Sequence, residues 1–128
     1  MNRPNPGPDY DFRLPKIKPP PGACCTQAHV FGPADRSTYA DGCRYAPPNS
    51  PIADYRELLD TLGLDRGLIV YGSAHGSDTG ISLDGITTAP DHLRDVAVVN
   101  PDISEVNLGT LNDDDATRYQ TLVTNPET

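Results

Sequence analysis

The chain has 128 residues, room for one hydrophobic core, and with 36% hydrophobic residues, 14 Pro and 11 Gly that core must come from a few short apolar stretches. Eighteen acidic against ten basic side chains leave a net charge of −8, which speaks against nucleic acid or an anionic membrane surface as the main partner. No apolar run approaches the roughly 18–20 residues of a membrane span, Met1–Pro20 has no secretory apolar segment, and an odd number of cysteines points to a reducing cytoplasm.

Seven prolines (Pro4, Pro6, Pro8, Pro15, Pro19, Pro20 and Pro21) mark residues 1–22 as a disordered or extended arm, since proline removes backbone donors and little there can be buried. Ala23–Val30, bounded by Gly22 and Gly32-Pro33, reads as a strand, and a loop runs from Phe31 to Ser50. Long loops inside compact domains are often functional. A helix follows: Ser50 as cap, Pro51 at the first helical position, Ile52, Tyr55, Leu58, Leu59 and Leu62 at helical spacing, and Gly63 as the stop. Leu68–Tyr71 has the continuous apolar character of a buried parallel strand. Ser77–Thr88 gives a weaker helix, interrupted by Gly80 and Gly85. Val96–Val99 is a third strand, Pro101–Leu111 a short helical pattern, and Tyr119–Val123 a last strand candidate. Alternation of strand and helix argues for βαβ units and a parallel sheet.

Strict alternation along the first strand places Cys25, Gln27 and His29 on one face, where the strand opens into the long loop. Parallel α/β proteins build their sites at such ends. Against that, His29 could simply close a local hydrogen bond. A zinc site from Cys24, Cys25, Cys43, His29 and His75 lacks a Cys-x-x-Cys pair. Cys25 and His29 as thiolate and base would lie about 13 Å apart along a strand, too far to bond. Asp113-Asp114-Asp115 lacks the spacing of a calcium loop, and Gly72-Ser73-Ala74-His75-Gly76 lacks the lysine of a phosphate loop.

The run from Gly22 to Pro33, GACCTQAHVFGP, resembles the first strand of the amidohydrolase-related family, in its branch around 2-pyrone-4,6-dicarboxylate lactonase. That branch reads Asp, Thr, His, any residue, His, Val, Phe, Gly, Pro. The resemblance continues through Arg44–Pro48, Leu62-Gly63-Leu64, Leu68–Tyr71, Ser73, Gly76, Asp78, Val96–Pro101 and Asn125–Thr128. It implies an α/β fold of the (β/α)8 TIM-barrel type. It also implies a hydrolase of small carboxylated lactones or related C–O and C–N bonds.

In that family the paired histidines bind a divalent, zinc-like metal or hold the substrate. A loop Tyr, a Ser after the second strand and an Arg on the fourth contact the substrate. Position by position, His29 matches the second histidine and is the catalytic candidate and the one matched metal ligand. Tyr45 and Ser73 match the substrate-binding pair, and His75 lies close enough in sequence to join them. Gln27 stands at the first histidine, Cys25 at the aspartate and Gln120 at the arginine. Gln is a weak metal ligand, and losing the Arg removes a bidentate grip on a carboxylate.

A complete barrel needs about 250 residues. Residues 23–128 are therefore expected to form an N-terminal half, of three to four βα units, closed by a second copy or a complementary chain. The alternative to an enzyme is a non-catalytic remnant or assembly subunit.

Overall fold

The computed structural model describes residues 3–32, 35, 39–41, 43, 45–70, 72–75, 80–99, 101–106 and 119–123, the first two and last five of these by backbone alone. Strand β1 (Arg3–Pro4) comes first, then β2 (Cys24–Ala28) and β3 (Tyr45–Ala46). Helix α1 (Ile52–Leu62) leads to β4 (Arg66–Val70), and a 3-10 turn (Ser73–His75) precedes helix α2 (Gly80–Thr87). Strands β5 (Leu93–Val99) and β6 (Tyr119–Val123) complete the order. β1 pairs in parallel with β3, and the main sheet is parallel throughout in the order β2-β4-β5-β6.

The partial (β/α)8 barrel expected from the sequence is not what forms. A barrel closes by bonding its first strand to its last at a fixed stagger. Here, among the described residues, four strands and two helices make a small open sheet whose outer strands, β2 and β6, each pair on one side only. Strand–helix alternation dictates parallel pairing but does not by itself dictate closure.

The arm is also more ordered than its prolines suggest. β1 pairs Arg3 with Tyr45 and Pro4 with Ala46, and the Tyr10 hydroxyl donates to the Asn49 carbonyl at 2.5 Å. At its far end the Gly22 amide donates to the Asp65 carboxylate, while the Arg66 guanidinium donates to the Gly22 carbonyl at 2.5 and 3.1 Å. An extended segment with only short-range side-chain hydrogen bonds of its own can still lie in one place when its few amides and rings find partners on the body.

Helix α1 forms as its pattern requires, with one change at its start. Pro51 is the N-cap with no side-chain capping bond, and Ser50 instead pairs its backbone with Phe31 at 2.7 and 3.0 Å. Gly63 ends the helix in the left-handed region at φ 71°, donating to Asp60 and Leu59 carbonyls. Its inner side, with Tyr55 and Leu59, joins Val30, Ile69, Ile86 and Leu93 in the core. Ile69, Ile86 and Leu93 are essentially fully buried, each worth about 1.5–3 kcal/mol relative to exposure. Gly67 makes the α1–β4 contact possible: a Cβ there would sit 2.6 Å from the Tyr55 hydroxyl and 2.9 Å from Leu59 Cδ1. Helix α2 forms despite its glycines, and Gly85 lies against Ile52 of α1. The pattern at Pro101–Leu111 lies partly outside the described residues, with 105–106 helical. No helix among the described residues is long and apolar enough to cross a membrane.

Candidate functional site

The end of β2 does not keep strict alternation. Cys25 pairs with Gly67 and Ala28 with Ile69, so three steps on β2 meet two on β4. That irregularity turns Cys25, Ala28 and Val30 alike toward the helix-side core. The expected face shared by Cys25, Gln27 and His29 therefore does not exist. The Cys25 thiol donates to the Gln27 carbonyl at 3.6 Å and lies beside the buried Tyr55 hydroxyl. Burial, then that thiol, pushes the Tyr55 hydroxyl well above its ordinary range. Gln27 is exposed. Gln120 lies on β6, opposite Val96, with only its backbone described.

His29 follows β2 at its carboxyl end. Its Nδ1 lies 3.0 Å from the Val70 carbonyl, at the end of β4. A carbonyl only accepts, so the proton sits on Nδ1, and in the neutral ring Nε2 keeps its lone pair. The side chain is exposed and lines an apolar cavity of about 260 Å³. Phe31, Asp54 and Tyr55 line the same cavity, as do Tyr10 and Phe12 of the arm. A second cavity of about 250 Å³, around Arg56, Asp60 and His92, borders the starts of β4 and β5. Parallel sheets place ligands at the opposite, carboxyl ends.

The other candidates gather behind Phe31. The Tyr45 hydroxyl is 3.4 Å from Ser73 Oγ. His75 is buried, stacks on Phe31 at 5.4 Å and 24°, and donates from Nε2 to the Val30 carbonyl at 3.0 Å. Its Nδ1 is buried without a hydrogen-bond partner. Tyr39 packs 5.5 Å from His75, and its hydroxyl is raised above its ordinary range by burial first, then by Cys43 and Tyr45. Phe31 also lies 6.0 Å from His29 and edge-on to Tyr45 at 6.5 Å. It stands between the groups: His29 and Phe31 line the cavity, whereas Tyr45, Ser73 and His75 do not. Gly72 permits this, because a Cβ there would meet Phe31 Cε1 at 2.7 Å.

With the geometry in view, comparison with known proteins is specific. No family model matches the chain. It is 32% identical over 98 residues to a 4-sulfomuconolactone hydrolase of Hydrogenophaga intermedia, covering 77% of this chain and 32% of that protein. It is 33% identical over 99 residues to a 2-pyrone-4,6-dicarboxylate hydrolase of Comamonas testosteroni, covering 77% and 32%. It is also 30% identical over 94 residues to a D-galactarolactone isomerase of Agrobacterium fabrum, covering 72% of this chain and 32% of that protein. The chain spans about a third of the length of these relatives. A crystal structure from Agrobacterium tumefaciens, without ligand, superposes with a TM-score of 0.72 at 27% identity, over 88% of this chain and 39% of that one.

The lactone hydrolase likeness raises the question of a metal, and the donor set does not fit one. Among the described residues no three of His, Cys, Asp and Glu come together. His29 offers one nitrogen, and His75 spends its Nε2 proton on a carbonyl while its Nδ1 is enclosed. One imidazole and one carboxylate, His29 and Asp54, sharing a cavity fall short of the three protein ligands a divalent site needs.

Four residues of this region escaped the sequence reading. Phe31 was visible in the motif but carried no role there. Tyr10 and Phe12 were submerged in proline and charge, although the chain has only two Phe and both line the cavity. Asp95, fully buried on β5 away from the cavity, precedes the apolar run Val96–Val99 that marks the strand in the sequence. Burial pushes its carboxyl up to about 6, partly offset by the Val96 amide and the Ser82 hydroxyl.

Proposed function

We propose that this chain acts in the hydrolysis of small lactones, with His29 as the general base. The observation that carries this is the His29 ring, held by its Nδ1 contact with the Val70 carbonyl in an exposed side chain that lines the cavity. A neutral imidazole so fixed can take a proton from water as that water attacks a lactone carbonyl. The new C–O bond forms, the ring C–O bond breaks, and the departing ring oxygen recovers the proton from the imidazolium.

Tyr45 and Ser73, in contact with each other, and His75, stacked on Phe31, are proposed to position the Phe31 ring that lines the cavity. The names of two of the relatives, both hydrolases of lactone-type rings, support the reaction class.

Ring opening by the pure 128-residue chain, followed by loss of lactone ultraviolet absorbance, tests the proposal. His29→Ala should slow turnover by about 10²–10⁴-fold. Unchanged turnover in that variant, or no rate above buffer for the unaltered chain, would remove His29 from the role.

A further inference from the structure

The arm and the His29 cavity meet in a way the hydrolase reading does not use. The arm is fixed along residues 45–50 at several points: the β1–β3 pairs, the Asn5 amide on the Ala46 carbonyl at 3.4 Å, and the Tyr10 hydroxyl on Asn49. Residue 50 is in turn bridged to Phe31. The arm and Phe31 thus line one cavity and are linked through the backbone of residues 45–50. Tyr10 and Phe12 stand 6.4 Å apart at 50°, and both face that space. Tyr10 is 51% exposed, so its ring borders an open cavity rather than filling a core.

We infer that the proline-rich arm is a specificity-determining wall of this cavity, which takes a planar lactone ring bearing at most one negative charge. This deepens the hydrolase reading and rests on it for turnover, though not for binding. Three observations support it. The lining is largely apolar and aromatic, with Tyr10, Phe12, Phe31 and Tyr55 supplying ring surface. Flat aromatic walls favour a flat ligand, which can stack on or abut their rings. The volume, about 260 Å³, falls just under the roughly 300 Å³ lower end of small-molecule pockets, which suits a single ring.

The charge pattern decides between ligands. The described lining contains a carboxylate, Asp54, and no Lys or Arg. A dianionic ring would meet Asp54 and a chain of net charge −8 with no guanidinium to receive its carboxylates. Two of the relatives are named for rings carrying sulfonate or carboxylate groups. This cavity is built for the less charged ring.

Equilibrium titration of the full chain, read by tyrosine fluorescence and ligand-observed NMR, tests this with two probes: 2-pyrone and 2-pyrone-4,6-dicarboxylate. The expected result is binding of 2-pyrone at least tenfold tighter than of the dicarboxylate, with Asp54→Asn narrowing the gap. Phe12→Ala and Tyr10→Ala should each weaken 2-pyrone about three- to tenfold, with melting curves confirming that both variants fold. Should Phe12→Ala fail to fold, Tyr10→Ala carries the test, since that ring is half exposed. Equal or tighter binding of the dicarboxylate, no binding of either probe, or indifference to the arm substitutions overturns the inference. Selective, arm-dependent binding without any ring opening would leave the inference standing and overturn the hydrolase reading instead.

Discussion

His29 and His75 make the same bond, a ring nitrogen to a main-chain carbonyl at 3.0 Å, and they make it to neighbouring strand ends. His29 reaches from just past β2 to Val70 at the end of β4, while His75 reaches back from the turn after β4 to Val30 just past β2. The two bonds cross-link the carboxyl ends of adjacent strands in opposite directions. What differs is the second nitrogen. In His29 it lies in an exposed side chain beside a cavity, and in His75 it is enclosed without a hydrogen-bond partner beneath Phe31. An identical first contact therefore leaves one ring available for chemistry and commits the other to packing. Burial of the remaining nitrogen, rather than the bond, separates the two roles.

The largest effect that can break this comparison is on the buried side. His75→Ala removes a stacked ring and the donor to the Val30 carbonyl, and leaves a void beside Phe31. By analogy with other buried truncations this costs about 2–4 kcal/mol in urea unfolding. Gly72→Ala attacks the same place from the backbone, and crowding Phe31 at 2.7 Å should cost about 1–3 kcal/mol. If His75→Ala left stability within error and abolished turnover, the assignment of roles would be reversed.

The same region shows what was legible in the chain. The apolar runs and the α1 periodicity were sufficient to place β4, β5 and α1, because burial on a parallel sheet demands continuous apolar strands. Three features were not legible. Closure of a sheet depends on stagger between strands distant in sequence, so an open sheet and part of a barrel share one local pattern. The irregularity between Cys25 and Ala28 depends on its partner strand, and it moved Cys25 away from His29. The docking of the arm rests on isolated contacts by Tyr10 and Gly22, which no periodicity announces. The motif names His29, Tyr45 and Ser73 as candidates; it cannot show that Phe31 stands between His29 and the other two.

Asp95 sharpens the comparison at intermediate size. If burial is what commits His75 to structure, a buried carboxyl away from the cavity should also report on stability alone. Its folded value is about 6 against an ordinary 3.8. The sign follows from linkage: below about 3.8 the group is neutral in both states and nothing is lost. As pH rises toward about 6 the unfolded chain ionises first, so the folded state loses ground, and above that the loss is constant. Asp95→Asn should therefore be about 1–3 kcal/mol more stable than the unaltered chain at pH 8 and near parity at pH 4. Chemical denaturation at the two pH values measures it. A difference that does not change with pH would mean that the carboxyl is not desolvated as its position implies.

The smallest stability effect is expected at His29, and it is the most informative for that reason. The ring is exposed, it stands outside the apolar core, and its Nδ1–H bond ends on a single carbonyl at the carboxyl end of β4. Exposed hydrogen bonds of this kind contribute about 0.5–1.5 kcal/mol, and surface substitutions often fall within about 0.5 kcal/mol. His29→Ala should thus melt within a few degrees of the unaltered chain while losing ring-opening activity. His29→Gln can retain a donor to Val70 but cannot supply a basic imidazole nitrogen, so it should recover any lost stability and none of the activity. If Gln restored turnover together with stability, the Val70 bond would be the whole function of this side chain, and His29 would join His75 as a structural histidine.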